Sequence, residues 1–145
     1  MKNPKFMVAV DGSEWANRAA HKAMQLASIS GARVELVYVL DWAGLHPIVV
    51  NAVEVPAIDP EAEKRKIEQE VFAPLIDEAH KCGVGISAQV LIGEPVQEIR
   101  RAVKDGHVNM LFVGRRGRSR IADLILGSVA NKLAHSVGIP IVLVP

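Results

Sequence analysis

Phe6-Met7-Val8-Ala9-Val10-Asp11-Gly12-Ser13 is the stretch that decides the fold. Five apolar residues run together with no polar residue alternating among them, the pattern of a strand covered on both faces. Asp11-Gly12-Ser13 then ends the run with turn-forming residues. Ser13 stands where a helix N-cap belongs, and behind it Trp15, Ala16, Ala19, Ala20, Ala23, Met24 and Ala27 recur at helical spacing until Gly31 supplies a stop. The apolar face of this helix is mostly alanine, so it is expected to lie close against the sheet.

The alternation continues outward. Val34 to Leu40 is a second strand, rich in β-branched and aromatic residues and closed by Asp41. Ala43 to Pro60 has no clear period and reads as a long surface connection with room for some helix. Asp59-Pro60 starts a helix whose apolar positions Ile67, Val71, Leu75, Ile76 and Ala79 carry it to Cys82, and Pro74 inside it predicts a kink. Ile86 to Ile92 is a further strand, Gly93-Glu94-Pro95 opens a helix through Val103, and Asn109 to Val113 is a fourth, buried strand. A helix from about Ser128 to Val137 leads to the fifth strand, Ile141 to Val144. Strands alternating with helices imply an α/β fold: one domain over residues 1–145, a three-layer sandwich around a five-stranded parallel, doubly wound, Rossmann-like sheet with right-handed crossovers.

Composition agrees. A chain of 145 residues suits one domain, and with 50% hydrophobic but only 4% aromatic residues its core must be built from Val, Ile, Leu and Ala. Seventeen basic against sixteen acidic side chains leave a formal charge of +1, no global field to attract nucleic acid or an anionic membrane. A single cysteine, Cys82, excludes an internal disulfide and a cysteine-based zinc cluster. No signal-like opening and no membrane-length apolar run is present, so the chain reads as a cytoplasmic protein.

In such a sheet the ligand crevice lies beyond the C-terminal strand ends. That rule selects Asp11 to Ser13, Val39 to Asp41, and the stretch G-R-R-G-R-S-R-I-A-D-L-I-L-G-S from Gly114 to Ser128. Glycines let backbone N–H groups approach an anion, and a helix N-terminus adds unpaired donors and a positive dipole end. Ser128 offers a hydroxyl, and Arg115, Arg116, Arg118 and Arg120 offer cations, although such a cluster also reads as a solvated face. Phosphate suits the arrangement. There is no G-x4-G-K-[ST] loop, and His21, His46, His80, His107 and His135 are scattered without metal-ligand spacing.

Gly114-x2-Gly117-x9-Gly127-Ser128 resembles the nucleotide-binding signature of the universal stress protein family. V-A-V-D-G-S at Val8 to Ser13, V-Y-V-L at Val37 to Leu40, G-E-P at Gly93 to Pro95 and the closing P-I-V-L-V-P extend the likeness over nearly the whole chain. The resemblance implies a site for ATP, with ADP or AMP as alternatives, accompanied by Mg2+ on the phosphates. It places the nucleoside near Ala9, Val10, Asp11 and Val39, and the phosphates and ribose side along Val113, Gly114, Gly117, Gly127, Ser128 and Val129, a set to which Arg116 is added as a binding residue of this chain. Asp11 matches the acidic residue near the nucleoside and Val39 the position whose backbone meets adenine; on their own, Asp11 reads as a turn residue and Val39 as buried strand. Arg115 and Arg116 depart from the small polar residue and His often found there, and Ala130 lacks a hydroxyl carried by some ATP binders.

No Glu, Gln or His stands beside the glycines to orient a water, and Asp123 is the nearest carboxylate, so the expectation is a protein that binds nucleotide, and the resemblance implies that it acts as a stress-response regulator or sensor. A slow metal-dependent ATPase or nucleotidyl-transfer enzyme, and a dimeric interaction protein without nucleotide, stand as alternatives. The resemblance also implies a homodimer formed through Ile141 to Val144, a bare strand edge that a partner would cover.

Overall fold

Lys5–Ala9 (β1) needs cover on both faces and has it: Met7 and Val8, whose side chains leave opposite sides of the strand, are each 0% exposed. The computed structural model describes residues 3–41, 47–56, 59–117 and 126–145. In chain order β1 is followed by α1 (Glu14–Ser30), β2 (Arg33–Asp41), β3 (Pro47–Val50), β4 (Val53–Pro56) and α2 (Pro60–Ile67). A π-helical turn (Glu68–Phe72) leads into α3 (Ala73–Lys81), and then come β5 (Ile86–Gly93), α4 (Pro95–Asp105), β6 (Met110–Gly114), α5 (Ser128–Ser136) and β7 (Ile141–Val144).

Among the described residues five strands form one parallel sheet in the order β5-β2-β1-β6-β7. Phe6, Val8, Val10, Val34, Leu36, Tyr38 and Phe112 pack one face against α1, α2 and α3. Met7, Val37, Leu111 and Val113 pack the other against Val96, Ile99 and Val103 of α4 and Ala130 and Leu133 of α5. The result is the single-domain, three-layer α/β sandwich read from the strand and helix pattern.

Local chemistry sets the element ends. Ser13 Oγ accepts the Ala16 N–H at 3.2 Å, and Gly31 closes α1 in the left-handed conformation (φ 76°) with its N–H on Ala27 O. The buried face of α1 is Ala16, Ala19, Ala20, Ala23, Met24 and Ala27, which lets the helix backbone approach the sheet. Glu94 caps α4, its carboxylate accepting the N–H groups of Val96 and Gln97.

Three features depart from the sequence reading. The connection after β2 holds no helix among its described residues before Pro60; β3 and β4 form an antiparallel hairpin with Val50 paired to Val53. Its turn residues Asn51 and Ala52 both have positive φ (52° and 64°), the requirement of a tight hairpin turn, but alanine at the second position lacks the Asn-Gly signature that announces one. Pro74 produces a π turn one step ahead of itself, with the Ala73 N–H reaching back to Glu68 O. That turn accommodates the missing donor of the proline within one continuous run of helix.

The third feature is Glu35, 9% exposed as the third residue of β2. Lys5 Nζ of β1 lies 2.5 Å from its Oε2, and Gln89 Nε2 of β5 donates to Oε1 at 2.6 Å, so one carboxylate ties three adjacent strands together. Lys5→Met would strip the ammonium from Oε2 of this shielded carboxylate while leaving the Gln89 bond to Oε1 in place. Urea unfolding of that variant is expected to show a loss of about 1–3 kcal/mol; an unchanged midpoint would mean that the ion pair contributes nothing.

Candidate functional site

The sheet order reverses at β1, whose chain continues to β2 on one side while β6 lies on the other, and a crevice opens there beyond the strand ends. It encloses about 210 Å3. Its walls come from three distant parts of the sequence. Ala9, Val10 and Asp11 line it from the end of β1 and Val39 from β2. Val113, Gly114, Arg116 and Gly117 line it from β6 and the following loop, and Gly127, Ser128 and Val129 from the start of α5. All eleven residues selected from sequence therefore border one cavity. Arg118, Arg120 and Asp123 lie outside the described residues.

The cavity also takes walls that the sequence reading did not assign to it: Ala16 of α1, Val37 of β2, and Pro95 and Ile99 of α4; Ala130 of α5, singled out in sequence for its missing hydroxyl, lines it as well. Ala16, Val37 and Ile99 are indistinguishable in sequence from core positions, because they serve the core and the cavity at once. Pro95 had a signal, since it lies two residues beyond the end of β5.

The back of the crevice is aliphatic and its mouth is polar. β1 pairs with β2 only as far as Ala9 and Val37, and the Val10 N–H donates to Val37 O at 2.9 Å. Alternate residues of a parallel strand turn their peptide groups to the same side, so those of Val39 face the side that β1 has just vacated. Asp11 holds its own turn, Oδ1 accepting the Ser13 N–H at 2.9 Å. The turn role read for Asp11 is thus real, and it leaves the carboxylate at the cavity wall.

The glycines perform three different tasks. A Cβ on Gly114 would lie 2.8 Å from the Trp15 carbonyl carbon and 2.8 Å from its Cβ, so the end of β6 touches the first turn of α1. A Cβ on Gly117 would lie 2.7 Å from Asp11 Oδ2, so this glycine makes room for the carboxylate. Gly127 closes the loop: its N–H donates to Arg115 O at 2.7 Å, and a Cβ there would sit 3.4 Å from the same oxygen. Arg115 in turn donates its N–H to Val144 O at 2.7 Å, which anchors the loop base on β7.

Gly127 is also the N-cap of α5 and offers no side chain to the first-turn donors; the first intrahelical bond is Asn131 N–H to Gly127 O at 2.9 Å. The N-terminal end of a helix, with its unpaired N–H groups, thus opens onto the cavity beside Ser128. Arg116 stands across the same mouth. Its Nε, like that of Arg115, is shut off from solvent and has no acceptor among the described residues. The arrangement can hold an apolar ring at the back and an anion at the front.

Comparison with known proteins gives a consistent picture. A model of the Universal stress protein family matches residues 2–145. The chain is 28% identical over 148 residues to the universal stress protein YxiE of Bacillus subtilis, covering 97% of each chain, and 24% identical to a universal stress protein of Synechocystis, covering 97% of this chain and 96% of that one. Among solved structures, the universal stress protein UspA from Lactobacillus plantarum superposes with a TM-score of 0.72 at 17% identity, covering 100% of this chain and 99% of that one. A universal stress protein in complex with cAMP has a TM-score of 0.69 at 22% identity, covering 98% and 96% of the two chains. One from Archaeoglobus fulgidus in complex with dAMP has a TM-score of 0.68 at 20% identity, covering 99% and 98%. No helix among the described residues is long and apolar enough to cross a membrane.

The glycine geometry separates two substitutions of the same size. Gly114→Ala drives a methyl into backbone and is expected to lower stability by about 1–3 kcal/mol. Gly117→Ala meets only the end of a side chain and should stay within about 1 kcal/mol of the parent. Urea titration of both variants checks this, and equal losses would refute the assignment of distinct tasks.

Proposed function

This chain belongs to the universal stress protein family, and from that premise we propose that it is a cytoplasmic adenine-nucleotide-binding protein acting as a stress-response sensor or regulator, with ATP as its ligand ahead of ADP and AMP. The observation that carries the reading is convergence. Residues from the end of β1, the middle of β2 and the two ends of the Gly114 to Ser128 stretch meet around one cavity, aliphatic behind and rich in donors in front. Adenine would enter between Val37, Val39 and Ile99 and meet the peptide groups of Val39, and the ribose would lie by Asp11. The phosphates would meet Gly117, Ser128 and the first turn of α5. The relatives' complexes with cAMP and dAMP support a nucleotide as the class of ligand.

Binding is favoured over turnover by the chemistry of the wall. Among the described residues Asp11 is the one carboxylate lining the cavity, and its Oδ1 is engaged by Ser13, so no described residue there is placed to orient an attacking water. Mg2+ accompanying ATP would travel on the phosphates, because no group of three His, Cys, Asp or Glu side chains is gathered for a metal among the described residues.

We also propose that two copies pair through β7. It is the outer strand of the sheet, with Ile141, Val142 and Leu143 half-buried, and an open strand edge is a ready template for a second strand. Sedimentation equilibrium is expected to give twice the chain mass of 15.7 kDa; a monomer at micromolar concentration would refute the pairing.

Titration calorimetry with ATP tests the ligand assignment directly. Gly127→Val places branched carbons against the backbone of Arg115, Arg116 and Gly117, and it is expected to weaken ATP binding at least tenfold, equivalent to about 1.4 kcal/mol. Unaltered affinity would remove the loop from the site. Single-turnover incubation should return ATP intact after hours, whereas release of ADP or AMP would make the protein an enzyme.

A further inference from the structure

We propose that the groove between the later turns of α4 and α5 docks an acidic peptide segment of a partner protein, which sets an aliphatic side chain on the groove floor and carboxylates against Arg100 and Lys104. The surface is separate from the crevice, and the proposal holds whatever ligand the crevice takes.

α4 and α5 each border two spaces. Pro95 and Ile99 in the first half of α4, and Ser128, Val129 and Ala130 at the start of α5, face the crevice. The later turns of both helices, with the segments that leave them, border a second and larger groove of about 980 Å3 at the opposite end of the sheet. Its floor is aliphatic. Val103 and Val108 are buried, but Val137 and Ile139 are only half-buried and stand on either side of the exposed Gly138, so apolar surface is left there for a partner to cover.

The rim is basic. Arg100, Arg101, Lys104 and His107 are exposed along it against one carboxylate, that of Asp105. Arg101 lies 3.3 Å from Glu98 Oε1, but neither Arg100 nor Lys104 has an ion pair among the described residues. The helix end explains only part of this charge. A cation in the last turn complements the helix dipole, which accounts for Lys104, whereas Arg100 and Arg101 stand before that turn. The chain as a whole carries +1, so the excess belongs to this groove and not to a global field.

A recessed aliphatic floor under a cationic rim selects the occupant. Nucleic acid brings phosphates to the rim but nothing to the floor, and no Phe, Tyr or Trp lines the groove to stack a base. An anionic bilayer takes up apolar side chains that project from a surface, and the half-buried Val137 and Ile139 lie in a recess instead. A peptide with carboxylates on both sides of a leucine answers the floor and the rim together.

Fluorescence anisotropy of the full chain with the labelled probe Glu-Glu-Leu-Glu-Glu-Leu-Glu-Glu tests the proposal. Saturable binding is expected, with none of the counterpart in which lysine replaces every glutamate. A probe with serine in place of both leucines should bind at least about threefold more weakly, since it leaves the floor uncovered. The double variant Arg100→Glu, Lys104→Glu changes exposed side chains only and is expected to weaken binding of the leucine probe at least tenfold by setting like charges together. Lys64→Glu with Arg65→Glu, an equal change of charge on the exposed face of α2, should leave it unchanged. Failure of the leucine probe to bind the parent overturns the proposal, as does an equal loss in the α2 variant, which would make the attraction one of net charge. Equal affinity for the serine probe removes the floor from the site and overturns it as well. A DNA duplex or a phosphatidylserine vesicle that binds the parent where the peptide does not, and is lost in the Arg100, Lys104 variant, overturns it by giving the face to nucleic acid or lipid.

Discussion

Burial of β1 on both faces is the constraint from which the rest of this structure follows. With Met7 and Val8 both fully enclosed, helices must stand on each side of the sheet, and the chain can place them there only by crossing over between parallel strands. β2 pairs on one side of β1 and β6 on the other, so the crossovers leave in opposite directions from the central strand. A crevice remains between those departures. The crevice is a geometric remainder of satisfying β1, and its position at the ends of β1, β2 and β6 follows before any residue in it is chosen.

Much of this was legible in the sequence because it is written in local chemistry. An unbroken apolar run, a serine cap, a terminal glycine and a proline at the first helical position each have one structural meaning, and β1, α1, α2 and α4 begin or end where those residues stand. The hairpin of β3 and β4 was not legible, since Asn51-Ala52 adopts a turn that alanine does not advertise. Glu35 was not legible either. A glutamate inside an apolar strand has no meaning until Lys5 and Gln89, from neighbouring strands, are brought beside it. Ala16, Val37 and Ile99 belong to the cavity for the same non-local reason.

The glycine signature is one pattern in sequence but three requirements in space. Gly114 is a contact between strand and helix, Gly117 a berth for a carboxylate, and Gly127 the closure of the loop. Spacing alone does not distinguish them. What it conveys is that all three backbone approaches must coexist, and a chain that meets them brings the end of β6, the Asp11 turn and the start of α5 to one point.

Six of the residues around the cavity, Ala9, Ala16, Ala130, Gly114, Gly117 and Gly127, have no side-chain torsion at all, and Pro95 has a closed ring. Val10, Val37, Val39, Val113 and Val129 have a single torsion each, which β-branching restricts. The alanine face that lets α1 lie against the sheet is thus continued around the crevice as a surface with little rotamer freedom. A ligand entering it freezes few side chains, so almost none of its contact energy is spent against conformational entropy. The shape of the empty crevice is, to that extent, already the shape of the filled one, and Arg116 is the longest side chain on its wall that must still find its place.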